Sequence, residues 1–129
     1  MLAYKAGDLG QSVACCFAIN WMLQRNYDEA VDLFAAYTRS SPDNPWGHYM
    51  HGLSAWKAGD REQAIAAFDE ALRLDPQHRK SLLNSARVLL ETSRPREALE
   101  RVEHALSIEP LSGEGVRLRG TAFARSLLR

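Results

Sequence analysis

The sequence predicts an all-α solenoid, a stack of helical pairs, and three recurrences at one interval predict it. Pro42, Pro76 and Pro110 stand 34 residues apart, as do Ala30, Ala64 and Ala98. A column of small residues (Ala18, Gly52, Ala86, Gly120) and one of large apolar residues (Phe34, Phe68, Val102) keep the same interval. A fixed period of that size marks a repeat architecture, in which each unit buries its apolar face on its neighbours rather than in one central core.

Composition is that of an ordinary globular chain: 129 residues, 46% hydrophobic and 25% charged, with 16 basic and 16 acidic side chains. The neutrality conceals a division. Residues 1–78 hold 6 basic and 10 acidic side chains, a net −4, and residues 79–129 hold 10 and 6, a net +4. The basic residues alternate with glutamates on helical segments, so the division reads as a solvated surface rather than a nucleic-acid contact. Cys15 and Cys16 are adjacent. On a helix such neighbours point about 100° apart, which suits neither an unstrained bridge nor a zinc site. A reducing, cytoplasmic compartment fits them. The apolar run at residues 13–19 is too short to cross a bilayer. It also lacks the basic flank and cleavage site of a secretion signal, so neither a membrane nor a nucleic acid is expected as a partner.

In order along the chain, residues 1–10 lie outside the register and read as a leader on the first repeat, or as the edge of an earlier unit. The first repeat is 11–44, with helices expected at about 11–24 and 27–39; Asn26 and Glu29 form a capping pair for the second, and Pro42 stops it. In the second repeat, 45–78, Asn44-Pro45 reads as N-cap and first helical residue. Gly59 suits the left-handed residue that closes a helix, and Asp60 with Gln63 caps the next one. The third repeat, 79–112, puts Ser93 where the turn glycine stood, Pro95 in a first helical turn and Val102 in the aromatic column. Residues 113–129 carry Val116, Gly120 and Phe123 at first-helix spacings with no second helix after them. They read as a closing helix whose outer side is basic (Arg117, Arg119, Arg125, Arg129), or as the start of a longer array.

The constellation Gly52, Ala64, Phe68, Ala71 and Pro76 resembles the tetratricopeptide repeat (TPR), and the register extends the resemblance over nearly the whole chain. It implies a right-handed superhelix of three TPR units plus the closing helix, with first helices lining a concave groove. It also implies that the signature residues are packing residues, while repeat positions 2, 5, 6, 9, 12 and 13 face the groove. On this sequence those positions include Ile19 and Met22, then Trp46, Tyr49, Met50, Leu53 and Trp56, then Arg87 and Arg117. The groove is therefore expected to grade from apolar, aromatic and sulfur-rich to basic.

The family's familiar ligands, chaperone C-terminal peptides ending in EEVD, are gripped by Lys and Asn at set positions. This chain has Cys15, Ile19 and Met50 there, and only Arg87 resembles a member of the set, so that clamp is not expected. An apolar groove instead suits an amphipathic helix or extended apolar peptide, with Trp46, Tyr49, Met50 and Trp56 as anchors and Arg87 and Arg117 orienting an acidic group. Trp46 and Trp56 have a competing role, since large side chains at such positions also pack between neighbouring first helices. The groove could alternatively hold the leader or a second copy of the chain, or the array could be the docking arm of a larger enzyme.

Catalysis finds no support. His48 and His51 are one turn apart and His78 opens the next repeat, but no cysteine or carboxylate joins them at ligand spacing. There is no glycine-rich phosphate loop, G-x-S-x-G or H-E-x-x-H. The expectation is a non-catalytic protein-interaction scaffold that needs no metal or cofactor.

Overall fold

The computed structural model describes Gln24 and residues 26–127. Six helices fill this span: α1 (Tyr27–Ser40), α2 (Pro45–Lys57), α3 (Arg61–Leu74), α4 (Arg79–Glu91), α5 (Pro95–Ile108) and α6 (Gly113–Leu127). The pairs α2/α3 and α4/α5 are the second and third repeats, α1 is the second helix of the first repeat, and α6 follows as the closing helix. The expected helix at 11–24, with Ile19 and Met22, lies outside the described residues.

The proline column sets the period physically. A proline disfavours the α region for the residue before it. Ser41, Asp75 and Glu109 accordingly leave their helices with φ of −132°, −140° and −135°. In each case the departing N–H is still satisfied, by the carbonyls of Tyr37, Ala71 and Ala105, themselves 34 residues apart. Asn44 Oδ1 then accepts from the Trp46 N–H at 3.0 Å, and Asp60 Oδ1 from the Gln63 N–H at 3.1 Å, as the sequence predicts. Asn26 does not do the same. It makes no side-chain cap bond, and its ψ of 68° falls short of the more extended 86° and 107° from which Asp60 and Asn44 reach their donors.

The turn between the helices of a pair needs one left-handed residue. Gly59 supplies it at φ 95°, and Ser93, one period later, is forced into the same region at φ 62°. A side chain there costs about 1–2 kcal/mol. Replacing Ser93 by glycine is therefore expected to stabilise the fold by about 0.5–1 kcal/mol, once the larger entropy that glycine brings to the unfolded chain is subtracted. Chemical denaturation of the two chains checks it, by an upward shift in midpoint at constant slope.

The recurring columns are the core. Ala30, Ala64 and Ala98 are fully buried, as are Phe34, Phe68 and Val102. One continuous apolar cluster joins Ala55, Ala64 and Phe68 to Ala86, Leu89, Val102 and Ala122, so it crosses both seams between repeats and reaches α6. Ala30 and Phe34 form a smaller cluster with Leu33 and Met50. The first helices α2, α4 and α6 approach one another more closely than the second helices do, which bends the stack toward the first helices and makes theirs the inner face.

The charge division resolves into pairs between neighbours. Glu62 and Asp69 of α3 face Arg94 beside α5 and Arg101 within it, at 3.9 and 2.6 Å, two helical turns apart on both sides. Arg61–Glu91, Arg79–Glu109 and Arg87–Glu114 tie further elements at 2.7, 2.8 and 2.7 Å. Much of the surplus acid of the first half thus faces surplus base of the second.

Candidate functional site: the inner face

The inner face is built from α2, α4 and α6, and two bonded groups occupy it. In the first, Tyr49, Asn84, Arg87 and Glu114 form one chain across the three helices. Asn84 Nδ2 donates to the Tyr49 hydroxyl at 3.2 Å, Arg87 donates to Asn84 Oδ1 at 3.1 Å, and Arg87 Nη2 lies 2.7 Å from Glu114 Oε2. The Tyr49 ring rests on the His78 imidazole, with centroids 5.2 Å apart. Burial pushes the Tyr49 phenol above its usual value, against the opposing bond from Asn84, so the hydroxyl keeps its proton.

In the second group, Trp56 Nε1 donates to both carboxylate oxygens of Glu91, at 3.1 and 3.2 Å, while Arg61 Nε donates to Glu91 Oε1 at 2.7 Å. The Lys57 ammonium sits 5.2 Å from the Trp56 ring centroid. Both groups use the same offset: Tyr49 to Asn84 and Trp56 to Glu91 are each separated by 35 residues. Each side chain therefore meets the one a single place further along in the next repeat. Arg125, donating to the Leu90 carbonyl across 35 residues, extends the pattern to α6.

The expected groove residues separate accordingly. Trp56, Tyr49 and Leu53 pack against the main core, and Met50 against the Ala30–Phe34 cluster. Trp46 remains exposed at 37%, gripped edge-on by Phe34 and Tyr37 with centroids 5.9 and 5.8 Å away. Arg87, expected to await an acidic ligand, is instead satisfied by Glu114, which the first turn of α6 carries onto it. Arg117 is exposed and in no ion pair among the described residues. The middle of the face is thus more polar than the sequence predicts, because Asn84, Arg87 and Glu114 fill it.

The histidines have structural surroundings. His48 Nε2 lies 2.9 Å from the Pro42 carbonyl. His78 caps α4, its Nδ1 accepting from the Ser81 N–H at 3.3 Å, and burial lowers its proton affinity, which suits an acceptor. Burial also lowers that of His51, whose Nε2 has no hydrogen-bond partner. Sequence reasoning missed the cap at His78, because histidine carries no N-cap signal. Among the described residues no cluster of three His, Cys, Asp or Glu could hold a metal, and no helix is long and apolar enough to cross a membrane.

Comparison with known proteins agrees with this architecture. Residues 49–106 match the family model of the tetratricopeptide repeat, and the chain belongs to that family. Over 113 residues it is 24% identical to a peroxisomal targeting signal receptor of Candida glabrata. That alignment covers 88% of this chain but only 19% of the receptor, so the chain spans about a fifth of the length of this relative. Among solved structures, the first TPR of Spaghetti (RPAP3), bound to the HSP90 peptide SRMEEVD, superposes with a TM-score of 0.85 at 18% identity. The match covers 92% of this chain and 94% of that one. MamA (41-end) from Desulfovibrio magneticus RS-1 gives 0.87 at 21% identity, over 96% of this chain and 68% of that one. At these identities the structures show the shared fold.

Proposed function

We propose that the chain is a non-catalytic protein-interaction scaffold that takes a segment of a partner protein on its inner face. The segment lies apolar side down on Trp46, Met50 and Leu53 and turns an acidic group toward Arg117. The exposed indole of Trp46 carries this reading. A tryptophan held edge-on by two rings yet open on its other side is preorganised, and such aromatic residues dominate binding energy at interfaces. That a similarly folded domain is bound to a peptide supports it. The departures at the clamp positions favour an apolar or amphipathic segment over a carboxylate-tailed one.

Selection of binders from a random-peptide display library on the immobilised chain tests it. Recovered peptides are expected to combine apolar anchors with an acidic residue, and Trp46→Glu is expected to weaken them at least tenfold, about 1.4 kcal/mol, while helicity is kept. Peptides that bind Trp46→Glu as tightly as the parent would show that the inner face is not the site.

A further inference from the structure

The closing helix turns an unexpected face outward. Val116, Gly120 and Phe123 of α6 occupy the places that Leu82, Ala86 and Leu89 occupy in α4, one period earlier. In α4 these three are 3%, 0% and 0% exposed, sealed beneath α5. In α6, Val116 and Phe123 are 43% and 55% exposed, and Leu127, on the same stripe, 68%. The inner side of α6 is occupied as expected, with Gly115 and Ala122 buried and Leu118 packed against the core. Its outer side therefore carries an apolar stripe as well as the expected arginines. At Gly52 a β-carbon would run into the Phe68 ring at 2.8 Å, whereas at Gly120 it would meet nothing within 4 Å. The glycine dent that takes an aromatic ring in the second repeat is open in α6.

We propose that this stripe is a second docking surface, separate from the inner face, for an acidic amphipathic helix of another protein built like the chain's own second helices. Such a helix carries a small residue, a large one four places on and a small one three places after that, as in Ala64–Phe68–Ala71 and Ala98–Val102–Ala105. Its large residue fills the dent at Gly120. Its charge follows from the margins. Where the second helices α3 and α5 adjoin, Glu62 and Asp69 meet Arg94 and Arg101. On the open side Arg96 of α5 and Arg119 of α6 are exposed and in no ion pair among the described residues, so the incoming helix meets them with carboxylates. A second copy of the chain does not fit. Its helices α1, α3 and α5 already bury their stripes at Ala30–Phe34, Ala64–Phe68 and Ala98–Val102, and α6 against α6 would bring Arg117 and Arg119 onto their own kind.

The probe is a labelled peptide of residues 61–74, the sequence of α3, which combines the Ala–Phe–Ala stripe with Glu62, Asp69 and Glu70. It is expected to bind the full chain, and binding is expected to weaken at least tenfold in Phe123→Asp and in Gly120→Leu. Arg96→Glu with Arg119→Glu should weaken it several-fold, and Trp46→Glu should leave it unchanged, which separates this surface from the inner face. Both stripe positions are exposed, so the variants keep their helicity. Absence of binding, or binding indifferent to Phe123→Asp and Gly120→Leu, overturns the proposal. So does a dimer of the chain alone that Phe123→Asp dissolves, which would assign the stripe to a second copy.

Discussion

Replacing Phe68 by alanine is expected to cost about 3–5 kcal/mol, with a fall in Tm of more than about 10 °C. The side chain is fully buried at the centre of the one cluster that spans both seams, in contact with Tyr49 at a ring separation of 6.0 Å and pressed against Gly52. Its loss leaves a cavity that stacked helices close poorly, because α2 and α3 are held at both ends by capped turns. In a repeat array, stability is a sum over units and interfaces. The transition of the variant is therefore expected to broaden as the second repeat loosens ahead of the third. Thermal unfolding followed by far-ultraviolet circular dichroism reads both effects, and an unchanged Tm would show that this cluster does not hold the array together.

The second large effect is a contrast of sign within one column. Gly52→Ala is expected to destabilise the fold by about 1–2 kcal/mol. The added carbon would lie 2.8 Å from Phe68 Cδ1 and 3.1 Å from the Ala64 carbonyl oxygen. Overpacking of that kind costs about 1–3 kcal/mol, against a gain of up to about 1 from helix propensity. Gly120→Ala, two periods later, meets open space and keeps the propensity gain alone, so it is expected to stabilise by about 0.5–1 kcal/mol. Urea denaturation of both variants measures the difference. With Phe68→Ala in the background, Gly52→Ala should turn from harmful to neutral or favourable, since the ring it strikes is gone. A double-mutant cycle gives that coupling directly.

What the sequence makes legible is whatever the backbone repeats. Pro42, Pro76 and Pro110 each force the residue before them into one geometry, and the alanine and Phe/Val columns follow into the core because the helices stack at constant pitch. Long polar side chains are less legible. Whether Arg87 faces a ligand or Glu114 depends on how closely α6 approaches α4, a tertiary distance that no local pattern encodes. Trp56 has the composition of a groove anchor, but its indole N–H is committed to Glu91, 35 residues away. Trp46 differs only because its ring neighbours grip its edges and leave the other side open. The stripe on α6 was available to the eye, since Val116 and Phe123 repeat Leu82 and Leu89; only the exposures show that nothing seals it.

The two seams of the stack are fastened by different forces. The inner seam is held by buried packing and by short bonds such as Asn84 to Tyr49, while the outer seam is tied by Glu62–Arg94 and Asp69–Arg101, pairs with well-exposed carboxylates. Solvated pairs are muted by dissolved salt, whose screening length shrinks from about 10 Å at 0.1 M to about 3 Å at 1 M. The molecule therefore behaves as a coil spring welded along one edge and magnetically latched along the other. Ionic strength sets how tightly it winds, and with it the width of the hollow offered to a visiting chain.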